Sequence, residues 1–578
     1  MSWIIGFLGA KIGSIPSLAL RSITPAPIYR LENPQLYIAL GGIQETCFFG
    51  SGEEGETNST GWAVVGLGIK LQNGQARFLA SSDWNAILSQ AQPDFQDLDG
   101  HFLAIRWQGQ NVQCFTDQLG LRTLYFTKFK GGVYFSTRLD WLSRCTGKHE
   151  VDFEAFGSRW LTFNQLSYES CISGIERLGP GGFAEFESGS IKTHRNTPWV
   201  ADFEITSDPK CTSVLRALIA EECQRSRMSL GLSGGIDSRV LLSVLCAAGN
   251  TSFSVHTFGD PSDPDVRVSQ EISTNLGLKR YYFNDPIPSV EDCISMIREF
   301  VGQTILIEPV SSFLKLRYYP KLRALQKTMI DGGFGEIARR QYLNRIMQFG
   351  RNALRQGDLS KLYKLMHTPR APIFRSDISK AMECGTLKRI AALFEGMPPI
   401  DTIGYENFLD LLAIRTRFPN YGGPEQGRLD GQIVNYMPFA QPSFLRGMFR
   451  TPIQLRRNGK LFRAIIRENK PLLARFPLVK FGTIYPFVLP TIPSWILTKV
   501  KSRTGFSFRD TMLDDFLMQM AEFIQDTVHS NHVMSHPAYD HPTIVQTVER
   551  YYRGERLLAK CVDWWLSFEM WRQSLGAA

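Results

Sequence analysis

Short apolar runs of strand length fill the first 200 positions. Leu36–Leu40, Trp62–Ile69, Phe102–Trp107 and Val133–Ser136 are separated by Gly- and Asn-bearing turns. Two β layers packed face to face would bury them. A linker with Pro198, Ser207 and Pro209 covers 195–210, and beyond it the pattern changes. Cys211–Arg225 has the period of an amphipathic helix, and Leu230 and Leu232 end a buried strand. Ser233-Gly234-Gly235 is a tight turn, and Val240–Leu245 continues as a packed helix. Phe253–Phe258 is a second buried strand. A polar turn with Asp260, Asp263 and Asp265 follows, then a helix over Val266–Leu276. Strand and helix alternate, which predicts a parallel sheet with its ligand at the carboxyl ends of the strands. Residues 345–420 read as helical and carry no evident chemistry. Phe418–Arg428, with Pro419, Gly422, Gly423 and Pro424, reads as a loop. The last helix, Leu557–Trp571, carries Trp564, Trp565, Phe568 and Trp571 and reads as core packing.

Composition narrows this picture. A chain of 578 residues is too long for one ordinary core, so two or three domains are expected. With 43% hydrophobic and 21% charged residues it reads as globular. A net charge of +9 suits solubility or attraction to an anionic small molecule or an acidic peptide. Lys/Arg runs with interleaved aromatics are missing, so no nucleic-acid partner is expected. Ten scattered cysteines without a C-x-x-C pair fit free thiols in a reducing cytoplasm. Lys11 interrupts the apolar start, which argues against a signal peptide, and no stretch reaches the length of a membrane span. Trp495-Ile-Leu follows three prolines and reads as a loop.

The candidate chemistry centres on Leu232-Ser233-Gly234-Gly235-Ile236-Asp237-Ser238. Strand, glycine turn and helix N-terminus form an anion site, with amide N–H groups and the helix dipole facing the ligand. Neither G-x-x-x-x-G-K-[ST] nor G-x-G-x-x-G fits here. A carboxylate at Asp237 would repel phosphate unless a cation lay between them, which implies magnesium. Asp331-Gly332-Gly333-Phe-Gly335-Glu336 is a second acidic glycine loop between a short strand and a helix. On its own, Lys480 reads as a solvated surface lysine. Glu425 is a candidate acid/base partner. His529, His532, His536 and His541 crowd together, but Pro537 and Pro542 break the spacing a chelating helix needs.

Ser-Gly-Gly-x-Asp-Ser resembles the pyrophosphate loop of the ATP pyrophosphatases, and the likeness extends to the asparagine synthetase superfamily. Leu98-Asp-Gly100-His-Phe102, Asp117–Tyr125 and Ile175–Gly181 resemble three segments of that family's N-terminal half, in order. Asp331–Tyr342, Asn435–Gln441 and Lys460–Gly482 resemble segments of its synthetase half. The resemblance implies an α/β protein. Residues 1–205 would be a glutaminase-like, Ntn-type β-sandwich, and 206–578 an ATP-pyrophosphatase domain with a parallel sheet and a helical C-terminal region. It implies ATP and Mg²⁺ as cofactors, with Asp237 and Glu336 as metal ligands. Leu232, Ser233, Gly234, Gly235, Asp237, Ser238, Asp331 and Gly332 would hold the nucleotide, and His256, Thr257 and Phe258 would border the adenine. Lys480 would stand beside the reacting carbonyl.

Departures from the family pattern decide among its chemistries. Ser2 stands where the glutaminases carry their cysteine, and serine is a poor nucleophile without an activating base. The glutamine-binding Arg-Gly-Pro-Asp segment is missing, and the acceptor-pocket motif keeps only Pro438 and Phe439. The amine is then expected from the substrate. The pattern is most similar to the lasso-peptide cyclases, which adenylate an Asp or Glu side chain of a precursor peptide for attack by the peptide's own N-terminal amine. Expected partners are that precursor peptide, a leader-peptide protease and a leader-recognition protein. The alternatives are a small-molecule lactam synthetase, an asparagine-synthetase-like amidotransferase and a non-catalytic nucleotide-binding scaffold.

Overall fold

The structure is a computed structural model. It describes residues 2–9, 26–51, 60–72, 74–206, 211–224, 227–248, 252–489 and 511–576, with scattered positions between 493 and 501. Trp495 and part of the 195–210 linker lie outside the described residues.

The chain's first 200 residues build two antiparallel sheets. One runs in the order Glu176–Leu178, Leu124–Phe129, Gly132–Ser136, Trp3–Gly9, Leu36–Gly41, Tyr29–Glu32. The other runs Ser190–Arg195, Phe183–Glu187, Asn111–Thr116, Leu98–Gln108, Thr60–Gln72, Cys47–Ser51. Ile4, Ile38, Phe126 and Phe135 of the first meet Val65, Leu103, Ile105 and Phe186 of the second in one fully buried layer. This is the two-layer arrangement that alternating strands demand.

The second half holds a five-stranded, all-parallel sheet. Its order is Lys279–Phe283, Ser254–Phe258, Met228–Gly231, Thr328–Ile330, Asn435–Tyr436. Helices Ile236–Ala247 and Pro264–Asn275 are its crossovers. The first strand sits centrally, so the loop after it opens at the carboxyl edge between two neighbours, where open parallel sheets place their ligands. Helices fill 344–417, the longest of them Ser376–Glu395, and helix Ala559–Ser574 buries Trp565 and Trp571. Among the described residues no helix is long and apolar enough to cross a membrane.

The 418–428 segment is helical, not a loop. A wide π-type turn, Phe418–Gly422, runs into helix Gly423–Leu429. Tertiary contacts override the Pro and Gly signals. Buried Asn420 donates to the Gln165 carbonyl (2.9 Å) and accepts from Arg177 (2.7 Å). A side chain at Gly423 would lie 2.7 Å from the Gly120 carbonyl oxygen, so only glycine allows that approach.

Candidate active site

The Ser233–Gly235 turn is organised by its own side chains. Gly235 N–H donates to Ser233 Oγ (3.1 Å), and Ser233 Oγ lies 3.2 Å from Ser238 Oγ. Gly234 N–H donates to the Asp265 carboxylate at 2.7 Å. A carboxylate therefore already uses one amide of the turn, as expected of an anion-binding backbone. Burial, with Asp263 beside it, raises the Asp265 pKa.

Two distant segments close on this turn. The first is the hairpin Leu478–Lys480/Thr483–Tyr485, whose connection Phe481 (φ 51°) and Gly482 (φ 67°) has the positive φ pair of a tight hairpin turn. Val479 N–H donates to the Gly234 carbonyl at 3.0 Å. A Cβ on Gly234 would come within 2.3 Å of Val479 Cγ2, so the glycine is what lets the hairpin seat. Fully buried Arg239 secures the approach by donating to the carbonyls of Phe476 and Pro477, both at 2.7 Å, and of Gly234 at 3.2 Å. Lys480 is thereby delivered to the turn and to Asp237. Burial and the nearby Arg339 lower its pKa, while Asp237 raises it.

The second is the Asp331–Glu336 loop. A Cβ on Gly332 would stand 2.9 Å from Ser238 N, and one on Gly335 would stand 2.5 Å from Asp237 Cγ. Both glycines permit close packing against the first helical turn after the Ser233–Gly235 turn. Phe334, at φ 67°, turns the chain between them. Asp331 accepts from Gly333 N–H (2.9 Å), and among the described residues no cationic side chain pairs with it. Burial, then Glu336 and Asp237, raises its pKa.

Asp237 and Glu336, expected as metal ligands, are each engaged by an arginine. Both Asp237 oxygens are taken by Arg339, Nε to Oδ1 at 2.8 Å and Nη2 to Oδ2 at 2.9 Å. Glu336 is paired with Arg417 at 2.8 Å. Among the described residues no three His, Cys, Asp or Glu side chains converge to hold a metal, and the donors present do not fit a ready-made magnesium site. The reason is local, since this chain carries Arg339 four residues after Gly335, where the family resemblance places a phenylalanine.

His256, Thr257 and Phe258, expected to border an adenine, form the end of the strand Ser254–Phe258. His256 is buried, bonds Ser229 Oγ through Nδ1 (2.9 Å), and its pKa is pushed down to about 3 by desolvation. Thr257 is buried and donates to the Leu232 carbonyl (2.9 Å). Both side chains are held by hydrogen bonds to the neighbouring strand and the turn that follows it. Phe258 is the half-buried one, stacked on Tyr318 with ring centroids 5.3 Å apart.

Glu425 lies in the helix after the π-type turn. Burial, with Glu308 close by, pushes its pKa up to about 8. It makes no hydrogen bond or ion pair among the described residues, whereas Glu308 accepts from Arg428 (2.8 Å) and Tyr421 (3.1 Å). Asp331 also bears on Glu425, which ties this acidic group to the Asp331–Glu336 loop. Glu308 follows Ile305 and Leu306, both at positive φ (47° and 57°), conformations costly for such residues and frequent at functional sites.

Sequence reasoning missed Arg417, Glu308, Arg428, Tyr421 and the bond from Gly234 to Asp265. Arg417 lies in a stretch read as chemically silent, and no local motif marks it. Asp265 was visible, as one of three acids just past the second strand.

Ser2 is fully buried, its Oγ donating to the Asp430 carbonyl at 2.9 Å and meeting Thr46 Oγ1 at 2.5 Å. The Asp430 carboxylate bonds His101 Nε2 at 2.9 Å, and Arg122 donates to the Ser2 carbonyl at 2.6 Å. A segment of the second half thus stoppers the place where the chain begins. In the histidine cluster, His541 Nε2 lies 2.7 Å from the Val533 carbonyl and His536 packs on Tyr539, which makes them packing residues.

No protein-family model and no curated protein matches the chain. A glutamine phosphoribosylpyrophosphate amidotransferase from B. subtilis, solved with ADP and GMP, superposes over 57% of this chain and 81% of its own, at TM-score 0.22 and 10% identity. A structure described as the allosteric regulatory enzyme of purine biosynthesis covers 51% of this chain and 71% of its own, at TM-score 0.20 and 10% identity. Similarity of this degree assigns no activity.

Proposed function

We propose that the chain is an ATP-dependent, AMP-forming amide ligase that closes a macrolactam in a precursor peptide, with residues 206–578 carrying the reaction and 1–205 serving as its scaffold. One observation carries this reading. Three segments far apart in sequence, around Gly234, Gly335 and Lys480, meet at the carboxyl edge of the parallel sheet through glycines that no other residue could replace without displacement. A turn suited to anions, buried carboxylates and a lysine brought close together suit a reaction that separates pyrophosphate from an activated acyl group.

In this reading the substrate carboxylate attacks the α-phosphorus of ATP. The bond between the α-phosphorus and the bridging oxygen to the β-phosphorus breaks, and pyrophosphate leaves into the Ser233–Ser238 turn. The amine then attacks the acyl carbon, its proton passes to Glu425, and AMP departs. Lys480 offsets charge on the carbonyl and phosphate oxygens as it develops. Glu425, with its raised pKa, suits a base that must take a proton near neutral pH. Ser2, buried beneath Asp430, favours an amine supplied by the substrate over ammonia from glutamine.

The test is exchange of labelled pyrophosphate into ATP. Peptides with an Asp or Glu side chain should drive it. N-acetylated versions should still support exchange but yield no product lighter by one water. Exchange with neither peptide would sink the reading.

A further inference from the structure

The sequence pattern places a metal between Asp237 and the phosphates, yet the structure places a guanidinium on Asp237. We propose that Arg339 is a phosphate ligand in its own right, a fixed cation bridging Asp237 to the pyrophosphate moiety of the nucleotide. The proposal rests on the reading above that the Ser233–Ser238 turn holds phosphates.

The geometry is that of a built bridge. Nε and Nη2 of Arg339 grip both oxygens of Asp237 (2.8 and 2.9 Å), and Nη1 donates to Gln341 Oε1. Three of the five guanidinium N–H groups are thereby used, and two remain for a further acceptor. The Arg339 and Asp237 side chains keep 19% and 21% of their exposure, so the pair is still reached by solvent. Gly335 lets the arginine's helical turn press on Asp237, because a Cβ there would meet Asp237 Cγ at 2.5 Å. Lys480 lies on the same side and is influenced by both members of the pair.

The electrostatics follow. An uncompensated Asp237 at the mouth of an anion site would repel phosphate. Paired with Arg339 it becomes neutral, and the guanidinium's planar fork presents its remaining donors in the geometry phosphate oxygens accept. Asp237 then orients Arg339, and Arg339 makes the contact.

The experiment is calorimetric titration of inorganic pyrophosphate and of α,β-methylene-ATP, each in EDTA and in magnesium. The proteins are the full-length chain and its Arg339→Lys, Arg339→Gln and Asp237→Asn/Arg339→Gln variants. Wild type should bind pyrophosphate in EDTA, and Arg339→Gln should weaken that binding by about tenfold or more, the loss expected for a charge-assisted contact. Arg339→Lys should fall between them, since an ammonium keeps the charge and lacks the fork. The double variant, which keeps the site's charge balanced, should stay weak. Recovery of wild-type affinity in the double variant would make Arg339 a mere counter-ion and overturn the proposal. So would metal-free affinity unchanged in Arg339→Gln, or wild-type binding that needs magnesium. Failure of wild type to bind either probe under both conditions would overturn the phosphate-site reading as well.

Discussion

Gly234→Ala tests the seating of the lysine hairpin at a single atom. The added methyl would stand 2.3 Å from Val479 Cγ2, 2.8 Å from Val479 Cβ and 3.2 Å from Asp265 Oδ1. Contacts below 3.0 Å cannot be absorbed by rotamer change at a β-branched residue held in a strand, so the hairpin must move. Overpacking of this kind costs about 1–3 kcal/mol. Applied to the seated hairpin, that cost lowers the seated-to-displaced ratio by roughly fivefold to over a hundredfold. Since Lys480 is the next residue after Val479, pyrophosphate exchange should fall by a similar factor. Val479→Ala removes the 2.3 Å contact and should restore part of the loss, giving a coupling of about 1 kcal/mol in a double-mutant cycle read on kcat/KM for exchange. Gly234→Ala within twofold of wild type, or strictly additive variants, would refute the close approach of turn and hairpin.

Lys480→Ala should lower turnover about a hundredfold to a thousandfold with little change in ATP affinity, checked by steady-state kinetics, because its charge is offered to the transition state. Glu425→Gln should remove the rise in acyl-transfer rate that wild type shows as pH increases through about 8. The same raised pKa means that the native state holds more protons than the unfolded chain between the ordinary carboxylate range and about 8. Stability should therefore fall across that window as pH rises, and Glu425→Gln should flatten the fall in denaturant titrations at several pH values. Ser2→Cys should not confer glutamine-dependent ammonia release, because the side chain at position 2 has no exposure.

The parallel sheet and the turn after its central strand were legible because hydrophobic runs, glycines and helix period agree along one continuous stretch. Lys480 and Asp331 were legible only through resemblance, since nothing local says that residues 234, 331 and 480 meet. Arg339 was visible in sequence, but its grip on Asp237 depends on Gly335 having no side chain, a fact of packing. The 418–428 helix was misread because Pro and Gly are strong local breakers, and only Asn420 and Gly423, docked on the N-terminal half, reverse them. His256 looked like a ligand residue from its place at a strand end, yet side chains alternate along a strand, and its ring turns into the sheet beside Ser229. Glu308 carries no motif at all, and two consecutive positive-φ residues bring it to Arg428.

The account stands on a carboxylate displacing pyrophosphate from ATP. A peptide whose Asp and Glu side-chain carboxylates carry heavy oxygen should pass one labelled oxygen to AMP in each cycle of ring closure, read by mass spectrometry of the released nucleotide. Label recovered in inorganic phosphate, or ring closure leaving AMP unlabelled, would contradict it.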